Sequence, residues 1–358
     1  MNKFILTAIC ILMSTALWLE PGFAQQWGAD QLNGQFTSWG ISNDNQIPSI
    51  NLLGAWQKFK KKKEVIVAVI DTGVDYSHPF LSANLYVPNG RVSADNYGVD
   101  FSKGRLSQGT PDDKHGHGTH VAGIVKSVFP DAKILVLKYF NPQASGQDNL
   151  DSTIEALKYA VDQGVDIINY SGGGPEPAIE ELNILKKAER KGILVVAAAG
   201  NEESNIDDKK KAYFPASYGL TNIITVTAYD QAKTVLSSSN YGRNTVDISA
   251  PGYRIKSSLP GGRSGYLTGT SQATAFVSGV AALLKSQFPE LTFSQLKTII
   301  RESALKETSL RDKCHSGGRL DATRALEIAA STLGVDLSRS VAGEAEKKEG
   351  TIIYRTNK

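Results

Sequence analysis

Five short runs in this chain are apolar at nearly every position: VIVAVID (65–71), KILVLKY (133–139), DIINYS (166–171), ILVVAAAG (193–200) and IITVTAYD (223–230). A strand with one wet face alternates polar and apolar residues. A run of four to eight residues, rich in Val and Ile and without alternation, suits a strand covered on both faces. Helical periods fall between them. LDSTIEALKYAVDQG (150–164) spaces Ile154, Leu157, Ala160 and Val161 three or four apart, and PAIEELNILKKAERKG (177–192) sets Ile179, Leu182 and Leu185 on one face. Such alternation predicts an α/β fold: a three-layer, doubly wound, mostly parallel sheet with helices on both faces. TSQATAFVSGVAALLKSQFP (270–289), apolar almost throughout, predicts a central buried helix.

The remaining composition is that of an ordinary globular chain. Of 358 residues 41% are hydrophobic and 21% charged, enough for a large core, and a net charge of +3 gives no reason to expect nucleic acid as a partner. KFKKKKE (58–64) reads as a solvated lead-in to the first strand rather than a phosphate- or lipid-binding patch. The first 24 residues, MNKFILTAICILMSTALWLEPGFA, carry a lysine, an apolar stretch and small residues before QQ. They predict a signal peptide cleaved after Ala24, a secreted or periplasmic protein, and no membrane association afterwards. Residues 25–38 then form a short extension, 39–333 the one large folded domain, and 334–358 a charged, mobile tail. Cys10 leaves with the signal, so Cys314 remains alone and reads as a bystander.

Sites in open α/β sheets form at the carboxyl ends of the strands. That rule puts Asp71, Ser171 and Asn201 at one edge. Two further stretches carry chemistry: HGHGTHVAG opens a small-residue helix with His117, and GTSQATAFVSG opens the long helix with Ser271. Carboxylate, imidazole and hydroxyl are the three parts that turn serine into a nucleophile, and a helix N-terminus beside it suits a developing oxyanion. His115, His117 and His120 together also match a zinc-hydrolase opening, H-x-H-x-x-H. That reading lacks downstream ligands, since His315 is the only later histidine.

At these residues the chain resembles the subtilisin-like serine proteases, whose order is also Asp, His, Ser. The resemblance runs from about Trp39 to Leu333 through VAVIDTGVDYSHPFL, GHGTHVAGIV, INYSGGGP, VVAAAGNE, YFPASY, ISAPGYRIKSSLPGG and GTSQATAFVSGVAALL. It implies an exported serine endopeptidase, with Asp71 as orienting carboxylate, His117 as general base and acid, Ser271 as nucleophile and Asn201 as oxyanion donor. His120 becomes a hydrogen-bonded structural residue and His115 a loop residue. An inactive relative kept as a binding module is the alternative outside enzymology. Polypeptide substrate would bind a monomeric enzyme as an added strand along Ser171, Gly172 and Gly173 and along Ala144, Ser145 and Gly146. Gly200 and Tyr213 would shape its first pocket. Tyr213 favours small side chains there, unless Glu202 attracts a basic one.

Four departures from the family pattern carry expectations. Gln272 stands where Met is usual, which predicts peroxide tolerance. Ala275 replaces a proline. Phe80 replaces an aspartate of the strong calcium site, and no loop interrupts HVAGIVKSVFPDAKILVL, so no metal or other cofactor is expected; a weaker calcium site stays open. The stretch after Ala24 is too short for a folding-assistant propeptide.

Overall fold

The computed structural model describes residue 36 and residues 38–44, 46–88, 97–102 and 110–337. The signal stretch, nearly all of the extension and the tail beyond 337 lie outside the described residues. Among those described, no helix is long and apolar enough to cross a membrane.

The helices are α1 (Leu52–Lys58), α2 (His117–Val128), α3 (Gly146–Gln163), α4 (Ile179–Arg190), α5 (Thr270–Gln287), α6 (Phe293–Glu302) and α7 (Ala322–Thr332). The strands are β1 (Ile66–Asp71), β2 (Gly98–Asp100), β3 (Lys133–Lys138), β4 (Ile167–Tyr170), β5 (Leu194–Ala198), β6 (Ile223–Tyr229), β7 (Ile248–Pro251), β8 (Ile255–Leu259), β9 (Arg263–Leu267), β10 (Leu305–Lys306) and β11 (Gly318–Arg319). Nine of them form one sheet in the order β10-β11-β7-β6-β5-β4-β1-β3-β2. Every pairing in it is parallel except β10 with β11. The other two, β8 and β9, make a separate antiparallel hairpin.

Strand periodicity explains the continuous apolar runs. Val67, Val69, Ile134, Val136, Ile167, Val196, Ile224 and Val226 point to one face, where α1, α2, α5, α6 and α7 pack. Ala68, Ile70, Leu135, Leu137, Ile168, Val195 and Ala197 point to the other, against α3 and α4. Both neighbours of each residue are therefore dry. Each fully buried Val, Leu or Ile contributes about 1.5–3 kcal/mol of transfer free energy. Helix α5 packs against both the sheet and α2, and all its residues except Lys285 are buried.

Two details differ from the sequence expectation. Ile179, expected on the buried face of α4, is 69% exposed, and Glu181 is buried in its stead. The reason is polar. Tyr170 and Tyr218 both donate hydroxyl hydrogen bonds to the Glu181 carboxylate, each at 2.7 Å. Those bonds satisfy a charge that apolar periodicity counts as outward-facing. Helix α3 also begins four residues early, because Ser145 closes a capping box with Asp148.

Candidate active site

Strands β5, β4 and β1 are parallel neighbours, so Asp71 at the end of β1, Ser171 just after β4 and Asn201 beyond β5 share one edge of the sheet. Helices α2 and α5 both start at that edge, with His117 and Ser271 in their first turns.

The acid and the imidazole are in contact. His117 Nδ1 lies 2.7 Å from Asp71 Oδ1, with the Asp71 side chain 3% and the His117 side chain 24% exposed. Gly118 permits this approach: a Cβ there would press on the Gly73 carbonyl and on Asp71. Burial pushes His117 down, but Asp71, by charge and hydrogen bond, and then Asp113, by charge, outweigh it. The imidazole sits above its ordinary 6.5. No described residue engages Nε2, the nitrogen that faces the reaction in such a pair.

Asp113 was not singled out from sequence. Its Oδ1 accepts from Thr72 Oγ1 (2.9 Å), the His115 amide (3.0 Å) and the Gly116 amide (2.8 Å). Its Oδ2 accepts from the Thr119 amide (2.9 Å) and hydroxyl (2.6 Å). One carboxylate thus ties down the amides opening α2 on both sides of His117. An aspartate four residues ahead of a helical histidine was the available signal.

Ser271 is held by a reciprocal clasp. Ser271 Oγ donates to the Ser171 carbonyl at 3.0 Å, and Ser171 Oγ donates to the Ser271 carbonyl at 3.2 Å. Asn169 Nδ2 donates to Ser171 Oγ and Ser278 Oγ to Asn169 Oδ1, both at 2.8 Å, which pins β4 to α5. The Ser271 hydroxyl is thus turned to Ser171 and not to His117. Ser271 is 7% exposed.

Asn201 sits beside the start of α5, next to Ser271. Its Oδ1 accepts from the Thr270 amide at 3.0 Å and the Thr270 hydroxyl at 3.2 Å, which leaves Nδ2 without a partner among the described residues. Asn240 braces this loop. Its Nδ2 donates to the Ala199 carbonyl (2.9 Å) and Glu202 (2.6 Å), and its Oδ1 accepts from the amides of Glu202 (3.1 Å) and Ser204 (2.9 Å).

The expected groove residues divide into two groups. Gly172 and Gly173 follow β4, and their backbone groups find no hydrogen-bond partner among the described residues, whereas Gly174 exchanges two bonds with Phe214 at 3.0 and 2.8 Å. The Tyr213 ring is wedged between two glycines: a Cβ on Gly173 would stand 2.5 Å from it, and one on Gly200 2.9 Å. Glu202, engaged by Asn240, faces Tyr213. Ser145 and Gly146 are exposed at the start of α3, and no hydrogen bond connects them to the other site residues.

The three clustered imidazoles do not converge. His117 turns to Asp71. His120 is buried, with Nε2 2.9 Å from the Ile255 carbonyl and 3.3 Å from that of Gly265. His115 is exposed and edges onto Phe140 at 5.6 Å. No group of three or more His, Cys, Asp or Glu among the described residues is placed to hold a metal. At Phe80, Lys126 Nζ lies 4.5 Å from the ring and donates to the residue's own carbonyl.

A nearly all-parallel sheet with an Asp–His pair and a helix-borne serine at its carboxyl edge defines a serine hydrolase of the α/β type. Residues 62–327 match the Subtilase family, and the chain belongs to it. It is a subtilisin-like serine endopeptidase. An "Intracellular serine protease" of Paenibacillus polymyxa is 37% identical over 257 residues, covering 67% of this chain and 73% of its own. The "Major intracellular serine protease" of Bacillus subtilis (strain 168) is 36% identical over 259 residues, 69% and 77% respectively. A "Thermophilic serine proteinase" of Bacillus sp. (strain AK1) is 39% identical over 243 residues, 65% and 55%.

Proposed function

We propose that Asp71, His117 and Ser271 act as a charge-stabilised nucleophilic triad and that Asn201 Nδ2 donates to the oxyanion. The observation that carries this reading is the 2.7 Å contact between His117 Nδ1 and Asp71 Oδ1, made at the sheet edge where Ser271 lies. Substrate entry releases Ser271 Oγ from the Ser171 carbonyl and turns it to His117 Nε2. The hydroxyl proton passes to Nε2 as Oγ bonds the scissile carbonyl carbon, and Asp71 stabilises the imidazolium. Negative charge on the carbonyl oxygen meets Asn201 Nδ2 and the Ser271 amide, one of the unsatisfied donors of the first helical turn. His117 then protonates the leaving amine, the C–N bond breaks, and water repeats the sequence on the acyl-enzyme.

The free backbone groups of Gly172 and Gly173 suit a substrate strand added alongside them. Tyr213 fills the space between Gly173 and Gly200, which supports a preference for small side chains there. The Lys126 ammonium beside the Phe80 carbonyl supports independence from the strong calcium site. Export rests on the N-terminal stretch MNKFILTAICILMSTALWLEPGFA; N-terminal sequencing of the mature protein and cell fractionation test it.

The test of the catalytic reading is Ser271→Ala beside the parent, assayed on casein and with a serine-directed phosphonate. Subtilisin loses about 10⁶-fold in turnover with its serine, and a similar collapse is expected. If the parent neither hydrolyses casein nor takes the label, the chain is a binding module and the triad assignment fails. If a chelator rather than the phosphonate abolishes activity, the reaction belongs to a metal.

A further inference from the structure

A concavity of about 430 Å³ opens beside β9, the strand that leads to Ser271. Trp39, Tyr253 and Tyr266 form its aromatic walls, Arg254 and Lys256 supply cations, and no described lining residue is a carboxylate. Tyr253 is 43% and Tyr266 57% exposed, an unusual outlay of aromatic surface. Arg254 holds φ +44, a left-handed conformation that is strained for a residue with a Cβ. Its guanidinium lies 5.4 Å from the centre of the Tyr266 ring and has no carboxylate partner among the described residues. The strained backbone, the stacked guanidinium and the want of a carboxylate partner among the described residues leave the Arg254 cation open to a ligand.

The shelf is coupled to the active site by hydrogen bonds. The Gly269 amide donates to the Gly252 carbonyl at 2.9 Å, and the Arg254 amide donates to Thr268 Oγ1, also at 2.9 Å. Gly252–Arg254 therefore runs beside Thr268–Gly269, two residues short of Ser271. A polypeptide lying across Ser271 has this surface within its reach.

We propose that the Arg254–Tyr266 shelf is an exosite for an acidic stretch of the polypeptide substrate outside the residues flanking the scissile bond. A substrate carboxylate pairs with the Arg254 guanidinium, whose planar fork donates to two oxygens at once, and neighbouring substrate side chains stack on Tyr253 and Tyr266. Arginine held by cation–π contact with Tyr266 is partly ordered beforehand, so less freedom is lost on binding. The proposal rests on Ser271 being the nucleophile. It concerns binding energy shared by ground and transition states, so its effect falls on KM.

The experiment uses quenched fluorescent peptides with one common cleavable centre and a distal Glu-Glu, Gln-Gln or Lys-Lys pair on either side, plus a short peptide lacking any distal residue. The parent should cleave the better-placed Glu-Glu peptide with roughly tenfold higher kcat/KM than its Lys-Lys counterpart, through KM, and the gap should shrink with salt. Arg254→Glu should reverse the preference while leaving the short peptide unchanged. Arg254→Gly, which relieves the left-handed strain, should be no less stable than the parent yet lose the preference. Equal cleavage of Glu-Glu and Lys-Lys peptides by the parent, or a preference that survives both variants, overturns the exosite and leaves the triad standing. Binding of labelled peptides to Ser271→Ala, read by anisotropy, separates the two readings. A parent that cleaves nothing, with Arg254-dependent binding of the Glu-Glu peptide intact, overturns the catalytic reading alone. Concentration-dependent dimers dispersed by Arg254→Glu, without acidic preference, assign the shelf to a second copy and refute the proposal.

Discussion

Lowering the pH from 7 towards 4 asks His120 to take a proton that the folded chain resists. Burial lowers this imidazole from 6.5 to about 4, against the raising effect of the Gly265 and Ile255 carbonyls, with His117 nearby lowering it further. The geometry gives the same sense. Nε2 already donates to backbone carbonyls, while Nδ1 is buried without a partner, so a second proton would face no acceptor. The unfolded chain binds that proton from pH 6.5 downwards and the folded chain only near 4. The stability carried by neutral His120 is therefore complete above 6.5, declines as pH falls from 6.5 to about 4, and is exhausted below. At 1.36 kcal/mol per pH unit this window amounts to about 3 kcal/mol, a large part of the usual ~5–15 kcal/mol. Urea unfolding in a Ser271→Ala background, which prevents self-digestion, measures it for the parent and for His120→Gln. With a slope of about 3 kcal/mol/M, the parent's midpoint should lose about 1 M more than the variant's between pH 7 and 4. Carboxylates contribute the same acid dependence to both proteins and cancel in the comparison. Parallel midpoints across that range would refute the argument.

Asn201→Ala should lower kcat by about 10²–10³-fold with little change in KM, the range that subtilisin shows for its own oxyanion asparagine. Asp113→Asn removes a charge that raises His117, so neutral His117 should persist to lower pH and the acid limb of the kcat/KM profile should move down; an unmoved limb sinks the electrostatic role. Peroxide should leave activity intact, because an amide at Gln272 replaces an oxidisable thioether; inactivation with a modification mapped beside Ser271 counts against it.

The five apolar runs were legible because each strand is dry on both sides, and that pattern depends only on neighbours along the chain. Helices α3 and α4 were legible by their apolar spacing, but Ile179 and Glu181 exchanged roles, since the decisive partners of Glu181, Tyr170 and Tyr218, come from elsewhere in the fold. The placing of Asp71, His117 and Ser271 at one edge of the sheet could be read from motif and strand order. Asp113 left only a faint trace, its spacing ahead of His117, and Asn169 and Asn240 left none, because a polar side chain shows its use only once the backbone amides and carbonyls it serves are in place. The Arg254 shelf is likewise assembled from distant stretches, with Trp39 brought to Tyr253 by an indole-to-carbonyl hydrogen bond at 2.8 Å.

Helix α5 carries Ser271, the proposed nucleophile, on its first turn and has scarcely any contact with solvent along its length. Nothing peripheral can loosen it alone. Heat or denaturant that frays the outer helices leaves Ser271 in place until the interior gives way, so loss of phosphonate labelling at Ser271 against temperature should follow the melting of the centre of the molecule.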